Sequence, residues 1–508
     1  MAAILPEGVN IAHPTDLFIG GKWVAPVEGG TIGIVSPHTE QLCAVVGEAT
    51  EADMDAAVAA AREAFDNGPW PRMTPAERGA VLRKMTEILN TRQRELAAAF
   101  TAQIGALTSF APYAAMIGSA TFASYADIGD GYEWEMRRPS TVPGNDSLLI
   151  REAVGVVAAI APWNMPLSIM AQKVAPALIT GCTVIMKPSP ETPLETYIIA
   201  EAAEAAGIPR GVLNLVTSHR TAADHLVRSR GVDKISFTGS TVAGKRIASV
   251  AGERIARVTL ELGGKSPAIV LDDFPTEAAG KILARTITVL SGQVCAMLSR
   301  AIVPADRIEE IAEAIAAEMK LVKVGSPLDP ATEMGPIAME RQLERIEHYV
   351  ATGIAEGAKL VTGGRRPPGQ TTGFYFEPTL FTDVDNSMTI AQEEIFGPVL
   401  CLIPARDLDH AIEIANDSDF GLNSAVLTND RDAVYAVGRR LRAGNVGHNG
   451  LKADFSLPFG GFKQSGVGRE GGVEGLLPYI ETKVMQIEVE AAPEDPVKET
   501  ELVAAEAG

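Results

Sequence analysis

The chain has 508 residues, 46% of them hydrophobic and 21% charged, which is enough for a large core and roughly three domains of ordinary size. That composition excludes a small disulfide scaffold, a disordered chain and a collagen-like repeat. Against 64 Asp plus Glu the chain has only 44 Lys plus Arg, so its net charge of −20 has the wrong sign for general binding to nucleic acid.

Taken in chain order, the opening stretch MAAILPEGVNIAHPTD has no basic start and carries two prolines, so it reads as no export signal. No uncharged apolar run of the roughly 18 residues of a membrane span occurs. The four cysteines, Cys43, Cys182, Cys295 and Cys401, stand far apart and match neither a disulfide framework nor a zinc pattern. A reducing cytoplasm fits that usage best. Between about 150 and 270 short apolar runs alternate with longer amphipathic ones. Strands are expected at 154–161, 183–186, 212–216, 234–237 and 258–262, and helices at 167–180, 194–206, 221–229 and 242–251. Gly181 and Gly207 stand just past two of these helices, where glycine ends a helix readily. The strands read as apolar throughout, without polar alternation, which is the pattern of a doubly wound parallel sheet covered on both faces. A second alternating segment follows Gly263, with helices near 306–321 and 338–353 and strands at 268–271, 301–303 and 399–403. The glycine-rich stretch PFGGFKQSGVGREGG at 458–472 reads as a loop wrapped around something. Residues 491–508 read as a mobile acidic tail.

Four places in this frame offer chemistry. FTGSTVAGKR at 237–246 follows a strand and opens a helix, which is where anions are held by free backbone N–H groups. It falls short of a Walker A loop because Arg246 stands where a Ser or Thr would ligate magnesium. It is not GxGxxG either, so a tight turn is the plain alternative. Cys295, in SGQVCA, is either inert packing or a nucleophile. Glu261 closes an apolar run in LELGG, where a carboxylate is costly unless paired, protonated or used; an ion pair at a strand end is the other reading. Asn164, in PWNMP, follows the first strand at the edge where such sheets take ligands, and a turn-former is its plain reading.

Together these segments resemble the aldehyde dehydrogenase superfamily. The matching stretches are PWNMP at 162–166, KP at 187–188, FTGS with Gly244, LELGGKSP at 260–267, GQVC at 292–295, EEIFGPV at 393–399 and PFGGFKQSGVGRE at 458–470. They come in the family's order, and the likeness runs from about residue 16 to 490. It implies a dinucleotide-binding domain from 16–130 and 154–261, a catalytic domain from 262–470, and a bridging element from 131–153 and 471–490 that makes a homodimer or homotetramer. It also implies an NAD(P)-dependent oxidation of an aldehyde to the acid, with no metal and no membrane.

By that resemblance Cys295 is the nucleophile whose thiolate adds to the aldehyde carbon. The side-chain amide of Asn164 and the backbone N–H of Cys295 stabilise the oxyanion. Glu261 is the general base that activates water against the thioester, with Lys173 and Glu470 as a proton relay behind it; a surface ion pair is the alternative for those two. An ordinary thiol titrates near about 8.5, so local donors, Glu261 or the cationic nicotinamide must assist Cys295. For the cofactor, Lys187 and Glu394 match ribose-holding positions and Phe396 the residue beside the nicotinamide ribose. Gly239, Ser240 and Gly244 match the loop around the pyrophosphate, and Ala161, Pro162, Trp163 and Leu262 complete the cofactor set.

Departures from the family pattern carry their own expectations. Pro190 occupies the position of a common acidic residue that takes ribose hydroxyls and repels a 2′-phosphate, with Glu191 one place later, so NAD is expected and NADP stays open. Gly447 and Gln172 replace bulky tryptophans. The residues matching the substrate tunnel, Met165, Ile169, Gln172, Val294, Ala296, Met297, Phe455 and Phe459, carry no charge and suit a neutral apolar aldehyde. A semialdehyde would want a cation, and betaine aldehyde an aromatic cage. Three rivals complete the field: a P-loop nucleotide-binding protein, which Arg246 argues against; a CoA-acylating relative, which typically lacks the base that Glu261 supplies here; and a catalytically silent one.

Overall fold

The computed structural model describes residues 4–488; the expected acidic tail at 491–508 lies outside them. The first sheet has eight strands in the order Gly466–Val467, Arg257–Glu261, Lys234–Thr238, Val156–Ile160, Thr183–Lys187, Leu213–Leu215, Leu17–Ile19 and Lys22–Val24. Its five central strands are parallel. In chain order those five run 5-4-1-2-3 across the sheet, so the order reverses between Val156–Ile160 and Lys234–Thr238. Outside the carboxyl ends of strands at such a reversal, the connections leave in opposite directions and open a crevice.

Local sequence explains the elements that frame this crevice. The helix Pro166–Thr180 begins with proline at its first turn, where the missing N–H is not needed, and ends on Gly181 at φ +98°. The helix Thr241–Gly252 is capped by Ser240, whose hydroxyl accepts from the Ala243 N–H at 3.3 Å. Helix and sheet must then pass very close: a Cβ on Gly244 would stand 2.4 Å from Leu262 Cδ2, so only glycine lets the helix N-terminus reach the cleft.

Both faces of the sheet are covered, one by a core around Met170, Val174, Tyr197 and Phe122, the other by a core around Val58, Ile185, Ile235 and Leu260. One expectation needs correcting. The strand Lys234–Thr238, KISFT, does alternate, and its polar positions Lys234, Ser236 and Thr238 are as buried as its apolar ones. A polar stripe therefore runs beneath the cover of one face.

The second sheet has seven strands, ordered Lys359–Thr362, Thr379–Thr382, Val399–Ala405, Leu298–Pro304, Ser266–Val270, Asn423–Leu427 and Asn445–His448. All neighbours are parallel except the first pair. The segment Gly466–Val467 returns from this half of the chain to pair antiparallel with Leu260 and Glu261, stitching the glycine-rich loop onto the first sheet beside the end of its outermost parallel strand. A third sheet joins Glu135–Pro139, Asn145–Ala153 and Ile480–Glu488. Among the described residues no helix is long and apolar enough to cross a membrane.

Candidate active site

A cleft of about 220 Å³ opens at the reversal point of the first sheet, lined by Pro162, Trp163, Asn164, Gly239, Ser240, Leu262, Gly263, Cys295, Arg345, Glu394 and Phe396 among others. Sequence segments up to 234 residues apart therefore meet around one thiol. Trp163 and Phe396 meet edge to face at 5.2 Å. Phe396 takes a left-handed backbone, φ +61°, held by the Gln342 amide, which donates to the carbonyls of Ile395 at 3.0 Å and Phe396 at 2.9 Å. Glu394 accepts from the Gly264 N–H at 3.0 Å; burial pushes its carboxyl up to about 7 against the pull of that N–H, Arg345 and Lys265. Lys187 ends Thr183–Lys187, the second parallel strand in chain order, and burial pushes its ammonium down to about 8 while Glu191 pulls the other way. Glu191 is itself held by Ser189 and by Arg341 at 2.6 Å, so the carboxylate that stands one residue late in the sequence still acts on Lys187.

Cys295 sits on a loop whose conformation is imposed from outside. Leu290, Ser291 and Gly292 all have positive φ, +47°, +55° and +75°, and two of the three are not glycine. Three contacts offset that strain: Ser291 Oγ donates to the Gly335 carbonyl at 2.8 Å, Gln293 Nε2 donates to the Leu290 carbonyl at 2.9 Å, and Gln293 Oε1 accepts from the Ala338 N–H at 2.9 Å. Asn164 Nδ2 donates to the Gln293 carbonyl at 3.0 Å. One amide hydrogen thus ties Asn164 to the Cys295 loop and leaves the second for the cleft that Asn164 lines. Gln293 was not singled out from sequence, and a lone glutamine carries no signal for such a bracing role.

The thiol is held in its neutral form. Burial, then the charges of Glu394 and Glu261, push it up to about 12, while the N–H groups of Ala296 and Cys295 pull it down. Glu261 ends its strand at 3% exposure, and neither of its carboxyl oxygens has a hydrogen-bond partner. Burial and the nearby Glu470 push it well above the usual carboxylate range, against Lys173 and Arg469. Its carboxyl points toward the glycine-rich loop, since a Cβ on Gly460 would stand 2.7 Å from its Oε1. Lys173 and Glu470 form a buried ion pair, 0% and 7% exposed, and the Lys173 ammonium also donates to Thr238 Oγ1 at 2.6 Å. The surface-pair reading of these two residues is thereby overturned.

On the far side of Cys295 the walls are apolar. Val294, Ala296, Phe455 and Phe459 cluster with Leu422 and Leu451 around the cysteine, and Met165 joins Trp163, Phe100 and Phe110 in a neighbouring cluster. Gln172 is buried, and its amide donates to the Phe455 carbonyl at 3.4 Å. Ile169 packs on the helical core of the first sheet. Met297 departs from the expected lining: its side chain is 4% exposed and packs with Leu298, Leu402 and Leu283 in the core of the second sheet. Arg246 is exposed and pairs with Asp224 at 3.3 Å, which leaves a P-loop nucleotide site without its metal ligand. Among the described residues no cluster of His, Cys, Asp and Glu suits a metal ion.

A doubly wound sheet with a crevice at its reversal point, lined there by the capped start of a helix and by a half-buried cysteine, defines a protein of the dinucleotide-binding kind. The sequence profile of the aldehyde dehydrogenase family matches residues 23–485, and the chain belongs to that family. It is 42% identical over 467 residues, 91% of this chain and 96% of the relative, to geranial dehydrogenase of Castellaniella defragrans. A 3-succinoylsemialdehyde-pyridine dehydrogenase from a Pseudomonas species is 39% identical over 92% of this chain and 98% of its own length. Among solved structures, an aldehyde dehydrogenase from Mycobacterium tuberculosis complexed with NAD+ is 40% identical with a TM-score of 0.91, covering 94% of this chain and 99% of that one. Betaine aldehyde dehydrogenase from Staphylococcus aureus in complex with NAD+ is 34% identical with a TM-score of 0.92, covering 96% and 97%.

Proposed function

We propose that this protein oxidises a neutral, apolar aldehyde to its carboxylic acid, with NAD as hydride acceptor and Cys295 as the covalent nucleophile. The observation that carries the reading is the meeting of Cys295 and Asn164 in the crevice at the reversal point, with Glu261 near enough for its charge to reach the thiol.

The crevice fits a dinucleotide. The capped N-terminus of Thr241–Gly252 with Gly239, Ser240 and Gly244 suits the pyrophosphate. Lys187 and Glu394 suit the two riboses, and Phe396 with Trp163, Ala161, Pro162 and Leu262 completes the walls. Bound there, the nicotinamide supplies an acceptor for the hydride that leaves the substrate carbon.

The residues of the chain do the rest. Glu261, carrying a carboxyl of raised proton affinity, takes the proton of Cys295, and the thiolate adds to the aldehyde carbon. Its oxyanion meets the free amide hydrogen of Asn164 and the N–H of Cys295, donors fixed before the reaction begins. After loss of the hydride Cys295 carries a thioester. Once its first proton has passed to Glu470, Glu261 draws another from water, the hydroxide attacks the carbonyl, and the C–S bond breaks to release the acid and the Cys295 thiolate, which takes that proton back from Glu261. The Glu470 carboxylate, held by the Lys173 ammonium, accepts that first proton from Glu261 and passes it on, so that Glu261 is free to act again.

The uncharged lining formed by Val294, Ala296, Met165, Phe455 and Phe459 favours an apolar chain over a semialdehyde, which would need a cation beside its carboxylate. The similarity to geranial dehydrogenase points the same way. Exposed Val484, Met485 and Ile487 on the outer strand Ile480–Glu488 support pairing of copies into a homodimer or homotetramer, which light scattering of the purified chain resolves. Reduced nicotinamide formation, followed with NAD and NADP over hexanal, benzaldehyde, succinate semialdehyde and betaine aldehyde, tests the substrate reading. Best turnover is expected with the uncharged aldehydes and NAD; fastest turnover of a charged member overturns it.

A further inference from the structure

The buried polar stripe on the first sheet continues past the residues used so far. Because side chains alternate along a strand, Lys234, Ser236 and Thr238 share one face. The parallel register sets Ser236 beside Thr259 and Thr238 beside Glu261, so five polar residues from two strands lie under one cover. That cover is the helix Pro166–Thr180, which brings Lys173, the helix Ala111–Gly131, which brings Tyr125, and the chain end with Glu470 and Tyr479.

Hydrogen bonds string these groups together. The Tyr479 hydroxyl donates to Ser236 Oγ at 3.0 Å, and Ser236 donates to Glu470 Oε1 at 3.5 Å. Glu470 also takes the Lys173 ammonium, which donates on to Thr238. Behind them Lys234 donates to Thr259 Oγ1 at 2.7 Å and lies over the Tyr479 ring, 4.8 Å from its centre. Lys234, Ser236, Thr259 and Tyr479 are all at most 1% exposed. Burying a lysine and three hydroxyls in a sheet core costs free energy that an apolar face would avoid, and fold alone does not require it.

We propose that Lys234, Ser236 and Tyr479 are positioning residues for the hydrolysis of the thioester, holding the Glu470 carboxylate oriented and balanced in charge so that it accepts the proton Glu261 collects. The inference rests on the reading of Glu261 as base and adds to it a second tier that touches neither substrate nor cofactor. Ser236 and the Tyr479 hydroxyl both direct their hydrogens along the string toward Glu470. Lys234 adds a positive charge behind them. It faces Glu470, Lys173, Arg257 and Cys182, and burial pushes it down to about 7, so this charge is full in acid and fades as pH rises through neutrality. Tyr125, nearby, is raised by burial and stays neutral. On the acid side, where Glu261 holds its proton, the Lys234 charge opposes that retention.

The test separates two phases of one assay on the full-length enzyme with NAD and hexanal. The rapid first turnover reports hydride loss, and the steady rate between pH 5.5 and 9 reports hydrolysis. In K234M the burst is expected to keep its amplitude, while the acid limb of the steady rate moves up by about half to one pH unit because the opposing charge is gone. S236A and Y479F leave no charge uncompensated, so they fold even where K234M does not; each is expected to move the same limb by a smaller amount in the same direction. A limb that stays in place in all three, or a rate lowered equally at every pH, overturns the inference and leaves a purely structural role. Should the wild-type enzyme show no aldehyde-dependent burst, the reading of the active site fails first and the inference with it.

Discussion

On one flank of Cys295 the wall is a sheet edge, where Pro162, Gly239 and Leu262 follow three neighbouring parallel strands and glycines, polar and charged groups and the rings of Trp163 and Phe396 line the space. On the other flank there is no sheet at all: Met165 comes from the start of a helix, Val294 and Ala296 from the strained loop, and Phe455 and Phe459 from a long connection. Strand ends fix the first flank to a common geometry. Irregular segments free the second to vary. A cofactor shared by a family suits the rigid flank, and a substrate particular to each member suits the adaptable one.

The comparison is broken most directly at the atom both flanks share. Replacing the thiol in C295A is expected to reduce aldehyde-dependent formation of reduced nicotinamide to background, while binding of NAD, read by protein fluorescence, persists. Residual turnover within about tenfold of wild type would mean that another group carries the chemistry.

Next in size is E261Q. The steady rate is expected to fall by about 10² to 10⁴-fold, the usual worth of a positioned base, with a first-turnover burst of reduced nicotinamide still visible in stopped flow. In the wild-type enzyme the sign of the pH dependence follows from burial: Glu261 sits well above the usual carboxylate range, so its basic form is lost as pH falls through that raised value. Steady turnover should therefore decline on the acid side well before an ordinary glutamate would titrate. An acid limb near pH 4.5 contradicts that assignment.

N164A probes the donor that reaches Cys295 from the rigid flank. It removes the amide hydrogen for the oxyanion and the brace on the Gln293 carbonyl together. A loss of about 10² to 10³ in kcat is expected, with the KM for NAD nearly unchanged. If the KM for NAD rises instead and kcat holds, Asn164 shapes the cofactor cleft rather than the reacting centre.

These two flanks were not equally legible in the sequence. The strands and helices between 154 and 262 could be read within two residues because apolar runs and glycine stops are local signals. The stripe on KISFT escaped that reading because both faces of the strand are buried, so alternation there separates polar cover from apolar cover, and the run still looks hydrophobic as a whole. The bracing role of Gln293 and the departure of Met297 from the tunnel depend on where distant segments pass one another. Cys295 and Ala296 are neighbours of Met297 in the chain, yet the start of the strand Leu298–Pro304 turns that one side chain into the core of the second sheet.

The smallest expected effect concerns the choice between NAD and NADP. Glu191 stands one residue after the position where an acid commonly takes the ribose hydroxyls, yet Ser189 and Arg341 draw its carboxylate to where it acts on Lys187. E191Q removes that negative charge and frees Arg341, an exposed guanidinium able to pair with a 2′-phosphate. The ratio of kcat/KM for NADP over NAD is expected to rise about threefold to tenfold. A second consequence has a definite sign. Lys187 is already down at about 8 through burial, with Glu191 the one partner raising it, so without Glu191 its ammonium is lost at lower pH. The KM for NAD in E191Q should then begin to climb at a lower pH than in the wild-type enzyme. Equal pH profiles and an unchanged cofactor ratio would mean that Arg341 holds Glu191 away from the ribose, and that the proline at 190 has removed acidic selection from this cleft altogether.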